Sequence, residues 1–135
     1  MSKVSEASLH AIVEDGDAET TVQVAEKLGR DLARKLSTSQ IRNIFGTVRR
    51  IEMTWPEEPQ DAAEEQEAEQ ARRELLLLKP KMAYQAKRER GRGVQTLVDV
   101  LTEAIDLVKG DRQRFQHFVD FFEATLAYHK AHGGN

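Results

Sequence analysis

The apolar residues of this chain recur at three- and four-residue intervals, which is the spacing of one face of a helix. The clearest series run along residues 22–36, 41–55, 94–108 and 115–126. Ser37 and Gln40 form a capping-box pattern just before the second series, and Pro56 ends it. Gly110 and Asp111 separate the last two series as a helix stop and a helix cap. The pattern predicts an all-α protein.

A further helical segment joins an apolar anchor to a basic surface. Residues 72–92 read RRELLLLKPKMAYQAKRERGR, in which Leu75, Leu78 and Met82 keep helical spacing across Pro80. Proline either bends a helix or begins a new one, and the uninterrupted spacing favours one bent helical unit. Residues 79–92 hold six Lys or Arg and one Glu. Charge of this density faces either solvent or phosphate.

Two stretches fall outside the helical pattern. Residues 1–16 have scattered apolar positions and predict an N-terminal arm or a short helix. Residues 56–70 contain seven carboxylates and no Lys or Arg, so they predict a linker or a marginal acidic helix. We interpret 56–70 as an acidic surface insertion, with competition for the basic surface as the alternative. Residues 17–135 then form a compact single-domain bundle of about five helices.

Composition narrows the class of protein. A length of 135 residues fits one domain, and 32% charged with only 6% aromatic residues favours helices over sandwiches or barrels. The chain has no cysteine, so it has no disulfide, no thiolate nucleophile and no Cys-ligated metal. No apolar run reaches the roughly 18 to 20 residues of a membrane span, and no signal-peptide core is visible. We expect a cytoplasmic protein without a membrane partner.

Patterns for catalysis are weak. The chain has no Gly-x-Ser-x-Gly or Walker sequence, and Gly91 and Gly93 are only a fragment of a phosphate loop. His129 and His132, with Glu123, are the sole candidates for a metal site or a hydrolase. Because no second cluster accompanies them, we expect a frayed, solvated helix end, no catalytic residue, no metal and no cofactor.

The basic residues are the remaining candidates for a site. Arg42 and Arg49 lie seven residues apart on one predicted helix, off its apolar stripe. If that helix packs beside the segment 79–88, the two would offer one basic surface with a tyrosine that can stack on a base. The predicted RNA-binding residues are Arg42, Arg49, Arg50, Lys79, Lys81, Tyr84 and Arg88. A solvated basic face is the alternative.

Three blocks of sequence carry a family resemblance. They are SQIRNIFGTVRRIE (39–52), LLKPKMAYQAKR (77–88) and FQHFVDFFEATLAYHKAHGG (115–134). In this order they resemble the small subunit of the type III-A (Csm) CRISPR-Cas effector complex, over about residues 17–134. The resemblance implies a bundle of about five helices with no catalytic activity. It also implies that several copies stack as an inner filament of the complex.

The resemblance implies partners as well. These are guide RNA and target RNA, the large subunit and the backbone subunits of the complex, and copies of the chain itself. The positions that match the family are Arg42, Arg49, Lys79, Lys81 and Arg88. Contacts from such residues to phosphates carry little sequence information, as suits an effector that accepts any guide.

A helical adaptor that binds only protein is the competing hypothesis. Its contacts would be made by Trp55, Phe121 or Tyr128, which fit the apolar stripes less well than the other aromatic residues. Its basic residues would then be solvated.

Overall fold

The computed structural model describes residues 4–89 and 91–135, and this part of the chain forms helices and no strand, which confirms the all-α class. The helices are α1 (Glu6–Val13), α2 (Ala18–Leu32), α3 (Thr38–Thr54), α4 (Ala62–Arg88), α5 (Arg92–Val108) and α6 (Arg112–Ala131). The described residues thus contain six helices where about five were predicted. The additional helix is α1, which packs into the core through Leu9, Ile12 and Val13.

The starts of the helices follow the sequence signals. Ser37 and Gln40 form the predicted capping box at α3, with Gln40 N donating to Ser37 Oγ at 3.2 Å and Ser37 N donating to Gln40 Oε1 at 2.9 Å. Asp111 caps α6 by accepting from Arg114 N at 2.9 Å. Each cap satisfies a backbone N–H that has no partner inside the helix.

Helix α6 is the centre of the bundle. It contacts α1, α2, α3 and α5. Phe115, Phe118, Phe121 and Phe122 are all fully buried along it. Helices α3, α4 and α5 run antiparallel in succession, so the start of α5 returns to the same end of the molecule as the start of α3.

Gly29 lets α2 lie directly on α6. A Cβ at this position would come within 2.8 Å of the backbone at Thr125 and His129, so no side chain fits there without a shift. Glycine inside a helix costs about 1 kcal/mol relative to alanine. The close packing of the two helices offsets that cost.

Helix α4 is one continuous element. Pro80 lies inside it, so the prediction of a single helical unit across the proline is confirmed. The helix begins at Ala62, inside the acidic stretch, and buries Ala68 and Ala71. Residues 62–70 are therefore held on one face while their carboxylates stay outside. The interpretation of 56–70 as an insertion stays a prediction.

Two aromatic residues that we expected at the surface belong to the core. Trp55 is 2% exposed and its ring stacks on Phe115 at 4.9 Å, while Phe121 is fully buried. The protein contacts that the adaptor hypothesis gave them are wrong for these two residues, because other helices cover several sides of α6 and the end of α3 packs over the start of α6. Tyr128 is half-buried.

Candidate nucleic-acid interface

Helices α3 and α4 lie side by side, as the predicted basic surface requires. Gln40 Nε2 donates to Glu89 Oε1 at 2.5 Å at one end of the pair. At the other end, the Arg72 guanidinium lies 5.7 Å from the centre of the Trp55 ring. These two contacts set an antiparallel register in which Arg50 is within about one helical turn of Lys81.

Lys79 lies on the side of α4 that faces α5, away from α3. Its Nζ donates to Asp106 Oδ1 at 2.5 Å, and its side chain is only 32% exposed. The carboxylate neutralises part of its charge. We define this side of α4 as the α5 flank.

Arg49 and Arg42 lie on the opposite side, toward α6. Arg49 NH1 donates to Glu52 Oε1 at 2.7 Å, and Glu52 Oε2 accepts from Gln116 of α6 at 3.0 Å. Arg42 is seven residues before Arg49, close to two full turns, and is therefore on the same line. We define this side of α3 as the α6 flank.

The outer surface between the two flanks carries the other predicted residues. Tyr84 is 67% exposed, and the Arg88 guanidinium lies 5.6 Å from the centre of its ring. Lys81 and Arg50 are exposed, and neither has an ion-pair partner among the described residues. Arg88 and Tyr84 are thus in contact on the exposed side of α4, and we call the exposed residues Arg50, Lys81, Tyr84 and Arg88 the outer surface.

The histidine pair does not form a site. His129 is fully buried, so our expectation of a solvated helix end is wrong for it. Its Nε2 makes a 2.6 Å hydrogen bond with the Leu36 carbonyl, and Gly134 packs against the ring. His132 lies outside, with its ring centre 6.4 Å from that of Tyr128. Within residues 4–89 and 91–135, no group of three or more His, Asp or Glu side chains is arranged to hold a metal ion.

Sequence reasoning missed a grouping of four exposed cations at one end of the bundle, of which only Arg92 belongs to the basic run of residues 79–92. They are Arg34 and Lys35 after α2, Arg92 at the start of α5 and Lys130 near the end of α6. No periodicity joins them, because Arg34 and Lys35 are far in sequence from Arg92 and from Lys130, and the three segments meet only through the topology. Arg90, part of the same basic run, is outside the described residues.

Comparison with known proteins places nearly the whole chain in one family. A scan against protein-family models matches residues 15–135 to the family described as Csm2 Type III-A. The match includes α2 to α6 and therefore both helices of the candidate surface. Neither the curated proteins nor the solved structures contain a match to the chain. Among the described residues, no helix combines the length and the apolar character needed to cross a membrane.

Proposed function

The chain belongs to the Csm2 family of type III-A CRISPR systems, and from that membership we propose that it contacts RNA as the non-catalytic small subunit of the effector complex. Family membership makes it a subunit of a Csm effector complex in CRISPR defence. The RNA contact, the absence of catalysis and the cytoplasmic location are parts of the proposal. Guide RNA and target RNA are the proposed nucleic-acid partners.

The observation that carries the proposal is the outer surface of α3 and α4. Arg50 and Lys81 have no carboxylate partner there among the described residues, and the carboxylate nearest to Arg88 is Glu89 at 4.0 Å. Glu89 already accepts a hydrogen bond from Gln40. Tyr84 adds an exposed ring on which a base can stack. Cations of this kind bind phosphates without reading sequence.

The flanks contribute less to this proposed contact. Lys79 would have to leave Asp106, and Arg49 would have to leave Glu52, before either could bind phosphate at full charge. Exposed ion pairs are worth about 0 to 1 kcal/mol, so the exchange is possible but reduces the gain. We therefore rank Arg50, Lys81 and Arg88 above Lys79 and Arg49, and we group Arg42 with Arg49 only because the two lie on one line of α3.

Protein contacts are assigned to a different set of residues. Met53, Leu76 and Leu77 are 81%, 59% and 45% exposed, respectively. Exposed apolar side chains of this size are typical of protein interfaces. They replace Trp55 and Phe121 as the candidates for contacts with the large subunit, the backbone subunits and stacked copies of the chain.

The test compares two triple variants in the reconstituted complex. Arg50→Glu, Lys81→Glu and Arg88→Glu change the outer surface, while Arg42→Glu, Arg49→Glu and Lys79→Glu change the flanks. We expect the outer-surface variant to weaken binding of target RNA by about tenfold or more and the flank variant to weaken it less. In a plot of the logarithm of the binding constant against the logarithm of the salt concentration, the slope should fall in magnitude by roughly 0.7 for each phosphate that the variant no longer binds.

Both variants must assemble as wild type does for the comparison to hold. If they assemble and bind target RNA with the affinity and salt dependence of wild type, the proposed surface is wrong. The adaptor hypothesis, which the exposed Met53, Leu76 and Leu77 favour, predicts this result together with an assembly that survives RNase treatment and contains no RNA at the small subunit.

A further inference from the structure

Four exposed cations form a basic pole at one end of the bundle, beyond the last turn of α4. They are Arg34, Lys35, Arg92 and Lys130. The first two follow α2, the third begins α5, and the last lies in the final turn of α6. Three separate elements therefore bring positive charge to one end.

Close backbone packing holds these elements together. A Cβ on Gly93 would overlap the carbonyl group of Lys35, so the first turn of α5 rests directly on the connection between α2 and α3. Arg92 directly precedes the glycine that makes this contact with the backbone of Lys35. On the other side, the buried ring of His129 bonds to the carbonyl of Leu36, which fixes the turn of Lys130 against the same connection. The pole is thus a defined cluster.

The side chains of the pole are not paired with carboxylates. None of the four has an ion-pair partner or a side-chain hydrogen bond within residues 4–89 and 91–135. In the same part of the structure, Arg49, Lys79 and Arg114 each lie within 4 Å of a carboxylate. Like charges held together without counter-charge favour an anionic ligand.

The opposite end of the molecule is acidic. The seven carboxylates of residues 57–69 lie before and along the first turns of α4, and the pole lies beyond its last turn. Helix α4 has 27 residues, which corresponds to about 40 Å at 1.5 Å per residue. Because this separation exceeds the Debye length of about 8 Å, the acidic end does not neutralise the pole.

The pole suits phosphate better than a protein surface. Protein interfaces have an apolar centre from which charged residues are depleted. The large exposed apolar side chains of the described residues are Val22, Met53, Leu76, Leu77 and Tyr84, and none of them belongs to the connections that form the pole. Arg34 and Arg92 offer planar guanidinium groups, which bind phosphate oxygens in pairs.

We propose that the basic pole is a second RNA-binding site, which binds the phosphodiester backbone at the end of the bundle. The inference rests on the proposed function in taking RNA as the partner. It goes further in placing a contact outside the α3 and α4 surface and in assigning it to residues of α5, α6 and the end of α2. RNA then meets each subunit at two places, one on its side and one at its basic end.

The test uses the reconstituted complex with two triple variants of equal charge change. The pole variant carries Lys35→Gln, Arg92→Gln and Lys130→Gln. The control carries Lys27→Gln, Arg73→Gln and Lys109→Gln, which are exposed cations elsewhere on the molecule. Binding of a single-stranded RNA complementary to the guide is measured from about 50 to about 300 mM salt, with photo-crosslinking of that RNA to the small subunit.

We expect the log-log salt slope of the pole variant to fall by about 2, or roughly 0.7 for each of three phosphates, and its crosslinks at the pole to disappear. The control should keep the slope and crosslinks of wild type. The pole variant should also unfold at the denaturant concentration of wild type, since its residues are exposed. This combination supports the proposal.

Three results would overturn it. In the first, the pole variant keeps the salt slope and crosslinks of wild type, and only the variant at Arg50, Lys81 and Arg88 loses RNA binding. This result would refute the pole as an RNA site and leave the proposed function intact. Loss of association between copies at unchanged RNA binding would show that the pole docks on the acidic end of a second copy. A wild-type complex whose small subunit shows no crosslink to RNA would refute both proposals.

Discussion

Helices α6 and α4 are both long, yet they use their surfaces in opposite ways. Helix α6 is covered by four other helices and buries aromatic residues on several sides. Helix α4 packs against α3 and α5 along one stripe that is lined by Leu75, Leu78 and Met82. Its remaining surface is acidic in the first half and basic in the second half. One helix holds the fold, and the other leaves most of its charged surface exposed.

This contrast determines which residues are free to bind. On α6 a residue off the main apolar stripe, such as Phe121, is still buried because another helix covers that side. On α4 a large apolar residue such as Leu77 is 45% exposed. The same kind of side chain therefore contributes to stability in one helix and is available to a partner in the other.

The strongest effect on stability should come from a core position of α6. Phe118 is fully buried, with its ring centre 6.1 Å from that of Phe115 and 6.3 Å from that of Phe122. Phe118→Ala should lower the free energy of unfolding by about 3 to 5 kcal/mol, since it removes buried surface and leaves a cavity. The matched variant on α4, Leu77→Ala, should change it by less than about 1 kcal/mol. Urea denaturation measures both, and equal losses would contradict the contrast between the two helices.

A smaller effect is expected where α2 meets α6. Gly29→Ala places a methyl group within 2.8 Å of the α6 backbone, which forces the helices apart and should cost about 1 to 3 kcal/mol. Gly46→Ala is the control, because no atom lies within 4 Å of its added Cβ and it is exposed on α3. It should stabilise the protein by about 0.5 to 1 kcal/mol through helix propensity. A lower melting temperature for Gly29→Ala together with a higher one for Gly46→Ala would support the close packing of α2 on α6. A higher melting temperature for both variants would refute it.

The sequence predicted the fold where a local signal decides structure. The α3 capping box, the Asp111 cap and the single helix across Pro80 follow from residues within a few positions of one another. The burial of a residue that lies off the main apolar stripe of its helix cannot be predicted in this way, because it depends on which other helices pack on that side. That is why Trp55, Phe121 and His129 were assigned to the surface and proved to be buried.

The candidate site was predictable in part for the same reason. Helical spacing showed that Arg42 and Arg49 share a line, and the structure places α3 beside α4. Spacing could not show that this line lies on the side of α3 that faces α6. That placement is visible only from the contacts of Glu52, which bonds both to Arg49 and to Gln116 of α6. The basic pole required the meeting of three elements distant in sequence, which no local pattern contains.

The weakest effect concerns the polar contacts of Glu14, which lies at the end of α1 next to the start of α6. The hydrogen bond between His10 Nδ1 and Glu14, at 2.9 Å, lowers the pKa of the Glu14 carboxyl below its usual 4.5, and the positive charge of Arg114 at 3.7 Å adds to the shift. A lowered folded-state pKa stabilises the protein above the ordinary pKa and ceases to do so as pH falls through the lowered value. Glu14→Gln should therefore reduce stability slightly near pH 7 and leave it unchanged well below pH 4.5. Urea denaturation at several pH values measures this. If the difference in the free energy of unfolding between wild type and Glu14→Gln persists to about pH 2, Glu14 stabilises the protein through packing and not through its charge.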